Sequence, residues 1–350
     1  MLVSGRRSVH RAPVWAALGV VYVVWGSTYV AVRFAIETLP PLITGGLRFL
    51  VAGVLMLTVV GFRRGRSALR LTPAQFATAA GSGLLLLLGG NGMVAIAVQK
   101  VPSGLAALLA SCLPLWIVAI RLVLRDRSGA VTVAGLLLGF AGVGLIFLPG
   151  GGSGTDPAYA GLIVLASLSW AVGSLLVTKL PVPADPLVLT AVEMLAGAAA
   201  MLAFARVRGE FADFAPTAVT ARSWLALAYL IVFGSLLAFT AYLWLLGRAP
   251  VSVVSTYAYV NPAVAVLLGS LLAGERLTAA ALAGGLVILV AVATVVTTEG
   301  RRARRAGAAA QPAESLPPDR PARRRTDSVV SLGASRPWRR RPYLRPRPAG

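Results

Sequence analysis

Charge is scarce in this chain: 13% of its 350 residues are charged, against about a quarter in a usual soluble domain. With 57% hydrophobic residues and a mean hydropathy of +0.79, it carries more apolar surface than a water-soluble globule tolerates. Cysteine occurs once, as Cys112, which excludes an internal disulfide and a cysteine-based zinc site. Histidine also occurs once, as His10 near the N-terminus. The GGSG at 151–154 formally matches a G-x-S-G serine motif, but it follows Pro149 in a loop and has no intramembrane histidine to act as base. HExxH, paired aspartates within apolar runs and G-x-x-x-x-G-K-[ST] are all missing, which argues against a metalloprotease, an aspartyl protease and an ATP-driven pump. The reading is therefore not an enzyme, with no cofactor and no metal. The first apolar run is too long for a cleavable signal peptide and lacks a small-residue cleavage site.

What the chain does have is apolar runs of about 20 residues, the length that crosses ~30 Å of hydrocarbon as a helix. They fall at 13–36, 40–61, 74–98, 102–122, 129–148, 157–178, 185–205, 223–246, 250–273 and 277–298. Ten membrane helices with short loops follow, an all-α membrane protein. The longest connection is "RVRGEFADFAPTAVTAR", between the seventh and eighth. Counting Lys and Arg on alternate sides gives sixteen on the face of the N-terminus before the tail is reached, and five on the other. Both termini are expected in the cytoplasm, with residues 149–156 outside. The net charge of +21 owes much to ten of the 33 Lys and Arg residues, which lie beyond position 319. A tail from 299 to 350, rich in Pro, Arg and Ser, should be disordered. Lying just past a membrane segment, it suits anionic lipid headgroups better than nucleic acid.

The sequence repeats. Trp25 matches Trp170, Pro41 matches Pro186 and Arg48 matches Glu193, all at an offset of 145. Lys100 with Arg248, Pro102 with Pro250 and Pro114 with Pro262 match at 148, and Asp126 with Glu275 and Gly135 with Gly284 at 149. Two five-helix halves, 13–148 and 157–298, follow a short 1–12 segment. Five is odd, so the second half enters the membrane from the opposite side, the inverted-repeat plan of many secondary transporters.

Each half thus places a proline twelve residues beyond another, deep in an apolar run. Proline removes an N–H and frees the carbonyl four residues back, here those of Ala110 and Ala258. Twelve residues is ~18 Å of helix, close to the bilayer midplane from either side. Unpaired backbone is tolerated at that depth only where it lines a cavity, so Ala110, Pro114 and Pro262 are candidate substrate-site positions. A pair of packing kinks is the bland alternative. Polar and aromatic residues gather at the same level: Trp25 and Thr28 in "WGSTY", Asn91 in "LGGNGM", Trp170 in "SLSWAVGS", and Tyr257, Tyr259 and Asn261 in "STYAYVNP". Singly, such residues serve as interhelical glue or interfacial anchors. The two tryptophans lie too deep for simple anchors. Gly135 and Gly139 form a weak GxxxG signal for close packing.

Two charges lie within the membrane. Arg48 and Glu193 each stand seven residues past a proline, ~10 Å in from opposite faces. Either would cost ~2.5–3.5 kcal/mol facing lipid, so both should face inward. Their difference in depth argues against a direct salt bridge. Arg48 suits helix-end carbonyls or a substrate anion; Glu193 suits a proton-coupling role or a satisfied structural carboxyl.

Taken in order, "WGSTY", "GLRFL", "GNGM", "VPSGLAALLASCLPLW", "SLSWAVGS", "EMLAG", "FGS", "TYAYVNPAVAVLLG" and "GE" at 274–275 resemble the EamA-domain members of the drug/metabolite transporter superfamily, in the branch of the YedA-type bacterial permeases. The resemblance covers about residues 14–298 and neither tail. It implies ten helices in two EamA repeats, a cavity among helices one, three, four, six, eight and nine, and export of small metabolites across the bacterial cytoplasmic membrane without ATP hydrolysis. The acidic residue usual at the end of the fourth helix stands here as Asp126. Amino acids or similar compounds are the first expectation for the substrate and a multidrug exporter of amphipathic compounds the second, in a monomer or homodimer.

Overall fold

Proline opens four of the helices, α2 (Pro41–Arg64), α3 (Pro73–Ala97), α6 (Pro157–Lys179) and α7 (Pro186–Val207). At the first helical position its missing N–H forfeits no bond. The side chains of Thr72, Asp156 and Asp185 accept from backbone N–H groups in the first turns of α3, α6 and α7, and Thr220 does the same for α8 (Ala221–Leu246). The others are α1 (Arg11–Ala35), α4 (Ser103–Val123), α5 (Ala130–Phe147), α9 in two pieces (Val251–Val254 and Tyr257–Ala273) and α10 (Ala279–Ala310). The computed structural model describes residues 11–125, 128–148, 155–212 and 214–310. Asp126, the GGSG at 151–154, His10 and the tail beyond Ala310 lie outside the described residues.

Among the described residues nine helices are long and apolar enough to cross a membrane, and Tyr257–Ala273 is a shorter apolar one. Large apolar side chains such as Phe62, Val123, Leu137, Leu286 and Val290 stand exposed, as expected of a surface solvated by lipid. The last helix runs past the expected end at 298. Alanine and arginine, both strong helix formers, fill "RRARRAGAAA". Just before it Glu299 is held by Arg121 at 2.8 Å and Thr132 at 3.0 Å. Residues up to Ala306 form one compact unit; of the second, Gly307–Gly350, only helix to Ala310 is described.

The inverted repeat can be read directly from packing. Between α2 and α7, a methyl group added at Gly46 would lie 3.6 Å from the Ala198 carbonyl oxygen, and one at Gly53 would lie 3.2 Å from that of Ala191. Shifting by 145 turns 46 into 191 and 53 into 198, so the two contacts exchange. Between α5 and α10, a methyl added at Gly142 would lie 2.9 Å from the Gly284 carbonyl oxygen and one at Gly135 would lie 3.6 Å from that of Ala291; the 149 offset exchanges these as well. A two-fold axis in the membrane plane passes through both seams.

Two kinds of helical irregularity recur in both halves. The fourth helix breaks at Ser111–Cys112, just ahead of Pro114. The ninth breaks at Ser255–Thr256. This corrects the expectation that Pro262 would mark the ninth helix's break: Pro262 stands inside Tyr257–Ala273. The helix restarts upstream, so the proline falls early in the new segment. The second irregularity is π-helix, at Leu84–Gly92 in α3 and Leu230–Leu237 in α8. Such segments are rare and favour functional sites.

Candidate functional site

Each deep tryptophan packs on the π-helical segment of the opposite repeat. Trp25 Nε1 donates to the Gly234 carbonyl of α8 at 3.3 Å. Trp170 packs on α3, with Gly90 so close that an added methyl would lie 2.6 Å from the indole ring. Its neighbour Ser169 donates to the Leu85 carbonyl at 2.8 Å. Gly89 and Gly234 are themselves 145 apart. Both bonds end on carbonyls of the π-helical segments, tying each to the opposite repeat.

Around Trp25 the ring contacts form an aromatic cluster: Phe239 at 5.6 Å, Tyr242 at 5.2 Å and Tyr257 at 5.3 Å between centroids. Tyr242 and Tyr257 also touch each other edge to face. On the next turn of α9, Asn261 is buried and its Oδ1 has no partner. Its backbone carbonyl lies against Gly26, where an added methyl would come to 3.0 Å. An acceptor stranded in this way costs about 1–3 kcal/mol.

The two intramembrane charges are buried, each at 8% exposure, and do not pair. Arg48 Nε donates to Ser235 Oγ at 2.8 Å, beside the Gly234 that holds Trp25. Glu193 accepts from Ser82 Oγ at 2.7 Å. There α3 and α7 approach so closely that a methyl at Gly83 would overlap the Glu193 carbonyl oxygen.

Of the residues singled out from sequence, Trp25 and Tyr257 are in direct contact, and Asn261 belongs to the same α1–α9 contact. Ala110 and Ala258 pack against one apolar cluster that includes Cys112, together with Tyr29. Asn91 turns back on its own helix, donating to the Leu86 carbonyl at 3.4 Å, and Thr28 bonds the Trp25 carbonyl at 2.6 Å. Tyr259 and Pro114 are half-buried and Pro262 is buried. Cys112 is a buried free thiol, 3.0 Å from Ser167 Oγ. Sequence reasoning gave no site role to Ser82, Gly83, Phe239 and Tyr242, nor to Gly234 and Ser235, which it used only as part of the FGS motif. The glycine–serine doublets at 82–83 and 234–235 were the available signal.

Two carboxylates also tie the repeats together at the end of the bundle carrying loops 36–40 and 98–102. Glu275 accepts from the N–H groups of Ser103 and Gly104 at 2.7 and 3.0 Å, and from Ser103 Oγ at 2.9 Å. Gly274, at φ +63°, turns the chain so that Glu275 reaches back. Glu210 Oε2 accepts from the N–H groups of Leu42 and Ile43 at 3.0 and 3.2 Å. Burial pushes the Glu210 carboxyl above the ordinary carboxylate range, against the opposing pull of those N–H groups and of Arg208.

The EamA-like transporter family matches residues 12–148 and again 158–297. The chain belongs to this family. The transporter is 38% identical over 267 residues to the uncharacterized inner membrane transporter YedA of Escherichia coli strain K12, covering 76% of this chain and 85% of that protein. It is 26% identical over 274 residues to the uncharacterized transporter YvbV of Bacillus subtilis strain 168, covering 78% and 88%. A protein crystal structure, 23% identical, superposes with a TM-score of 0.55 over 83% of this chain and 99% of that one, and shares the fold. The chain is thus a multi-pass inner-membrane transporter, working in lipid on a small-molecule substrate.

Proposed function

We propose that this transporter exports small polar organic metabolites, amino acids or amino-acid-like compounds first among them, by alternating access and without ATP. The observation that carries the reading is the sealed Asn261 acceptor beside the Trp25 cluster. A stranded acceptor next to aromatic faces suits a solute that brings both a donor and apolar surface. The sequence-level candidates Asn91, Trp170, Ala110 and Pro114 belong, in this reading, to the facing wall. Both termini lie in the cytoplasm, which places Glu210 and Glu275 at the outer face. Glu193 exchanges a proton during the cycle. The basic tail rests on anionic lipid.

A second reading, export of amphipathic drugs, draws on the same aromatic cluster, because ring faces tolerate many shapes. The deciding experiment uses purified protein in liposomes, challenged with labelled amino acids, cationic dyes and nucleotide sugars under imposed proton gradients. Orientation is fixed beforehand by thiol labelling of a cysteine at position 153 in the Cys112→Ser background. Movement of one amino-acid group without dye supports the first reading. Dye movement alone supports the second. Full activity of Asn261→Ala with Tyr257→Ala would remove the site from this place, and labelling of position 153 from the cytoplasmic side alone would reverse the orientation.

A further inference from the structure

We infer that Arg48 is the anchor for a carboxylate on the transported solute, which makes the substrate class small organic acids and zwitterions rather than cations. This rests on the transport reading above and narrows its substrate. Arg48 lies ~10 Å inside α2 and is buried, yet no carboxylate among the described residues pairs with it. The acidic groups on the helices packed against α2 are otherwise engaged. Glu193 of α7 holds Ser82, Glu210 beyond α7 holds the start of α2, and Asp185 ahead of α7 pairs with Arg64. The packed helix α8 carries no Asp or Glu.

Among the described residues the guanidinium spends one donor, Nε, on Ser235. That bond fixes the plane of the group and leaves the four terminal N–H donors without a protein acceptor. A guanidinium stays charged at any physiological pH, and its fork matches a planar carboxylate with two parallel bonds. Stacking over Phe49, at 4.7 Å, sets the other face.

The neighbouring residue keeps the fork open. A methyl at Gly234 would come to 3.2 Å from Nη2 and to the same distance from Thr28 Cγ2. Gly234 also receives the Trp25 indole N–H, so fork and aromatic cluster both border one residue. A solute whose carboxylate meets Arg48 can therefore lay its apolar part toward Trp25. A single fork suits a monocarboxylate; a phosphate ester wants further cations, and Arg33 of α1 and Arg222 of α8 are spent on the Val98 carbonyl and Glu37.

The test is counterflow of a labelled mixture of the twenty amino acids in proteoliposomes of the full chain, competed by unlabelled amino acids or by amino-acid amides. Amides keep the ammonium and the side chain and lose the carboxylate. We expect amides to compete at least tenfold more weakly, and Arg48→Lys and Gly234→Ala each to raise KM about 10- to 100-fold with little change in yield or Tm. Gly234→Ala keeps the test alive where Arg48 variants fail to fold, because it moves the fork without removing the charge. Equal competition by amides, or an unchanged KM in folded Gly234→Ala and Arg48→Lys, overturns the anchor and leaves the transport reading standing. Movement of cationic dyes alone overturns the anchor and favours the second reading. If no solute moves, the transport reading falls and takes the anchor with it.

Discussion

Arg48 and Glu193 occupy equivalent positions in the two repeats and lead opposite lives. Each leans on a serine of an α-helix containing a π-helical segment, Ser235 for Arg48 and Ser82 for Glu193. Around Glu193 the helices meet backbone to backbone at Gly83. Around Arg48 the nearest neighbours of Gly234 are side-chain tips, Nη2 of the arginine and Cγ2 of Thr28, both 3.2 Å from an added methyl. One duplicated scaffold thus holds a tightly walled carboxyl and a loosely walled guanidinium. Symmetry of the backbone did not enforce symmetry of the chemistry.

The largest effect expected from this contrast is at Gly83. Gly83→Ala forces a methyl against a helix backbone that cannot step aside, a change worth about 3 kcal/mol or more. Thermal unfolding of the detergent-purified protein should show a Tm well below wild type, whereas Gly234→Ala barely moves it. Equal Tm values for the two would erase the distinction between the walls. Next in size is Glu193→Gln. Glutamine can still accept from Ser82, so the protein should fold, but the pH profile of transport should flatten. A profile identical to wild type would make Glu193 a structural carboxyl and the contrast one of packing alone.

The smallest effect concerns Glu210, outside the membrane-spanning segments. Its folded-state pKa is raised above the unfolded value of about 4.3. Stability linked to it is then complete below that value and is lost as pH rises through the folded-state pKa. Glu210→Gln should remove that decline in a Tm-against-pH series. A wild-type Tm that does not fall over this window, or an unchanged slope in the variant, would show that Glu210 carries no such linkage.

Much of this fold is written in composition and spacing. Apolar runs set the ten helices and the drifting 145–149 offset set the inversion, because both follow from hydrocarbon thickness and chain parity. Pro114 announced its break because a proline near a helix start leaves nothing else to fill the gap. Pro262 misled, since Ser255 and Thr256 take up the irregularity about two turns earlier. The π-helical segments were visible only as glycines around Asn91, with no equivalent asparagine in α8. The glycine–serine doublets mark Ser82 and Ser235 in the sequence, but whether a serine bonds its own helix or a buried charge is decided by rotation between helices. The aromatic cluster was half legible: Trp25 and Tyr257 stood out, but Phe239 and Tyr242 look like ordinary membrane side chains until α1, α8 and α9 converge.

The α2–α7 and α5–α10 seams carry a history. A contact that maps onto itself under a two-fold rotation is isologous, the kind two identical subunits make. Each seam is therefore what a separate five-helix chain would present to a second copy of itself inserted upside down. Joined in one chain, the two halves meet at a high effective concentration and need not find each other in the bilayer.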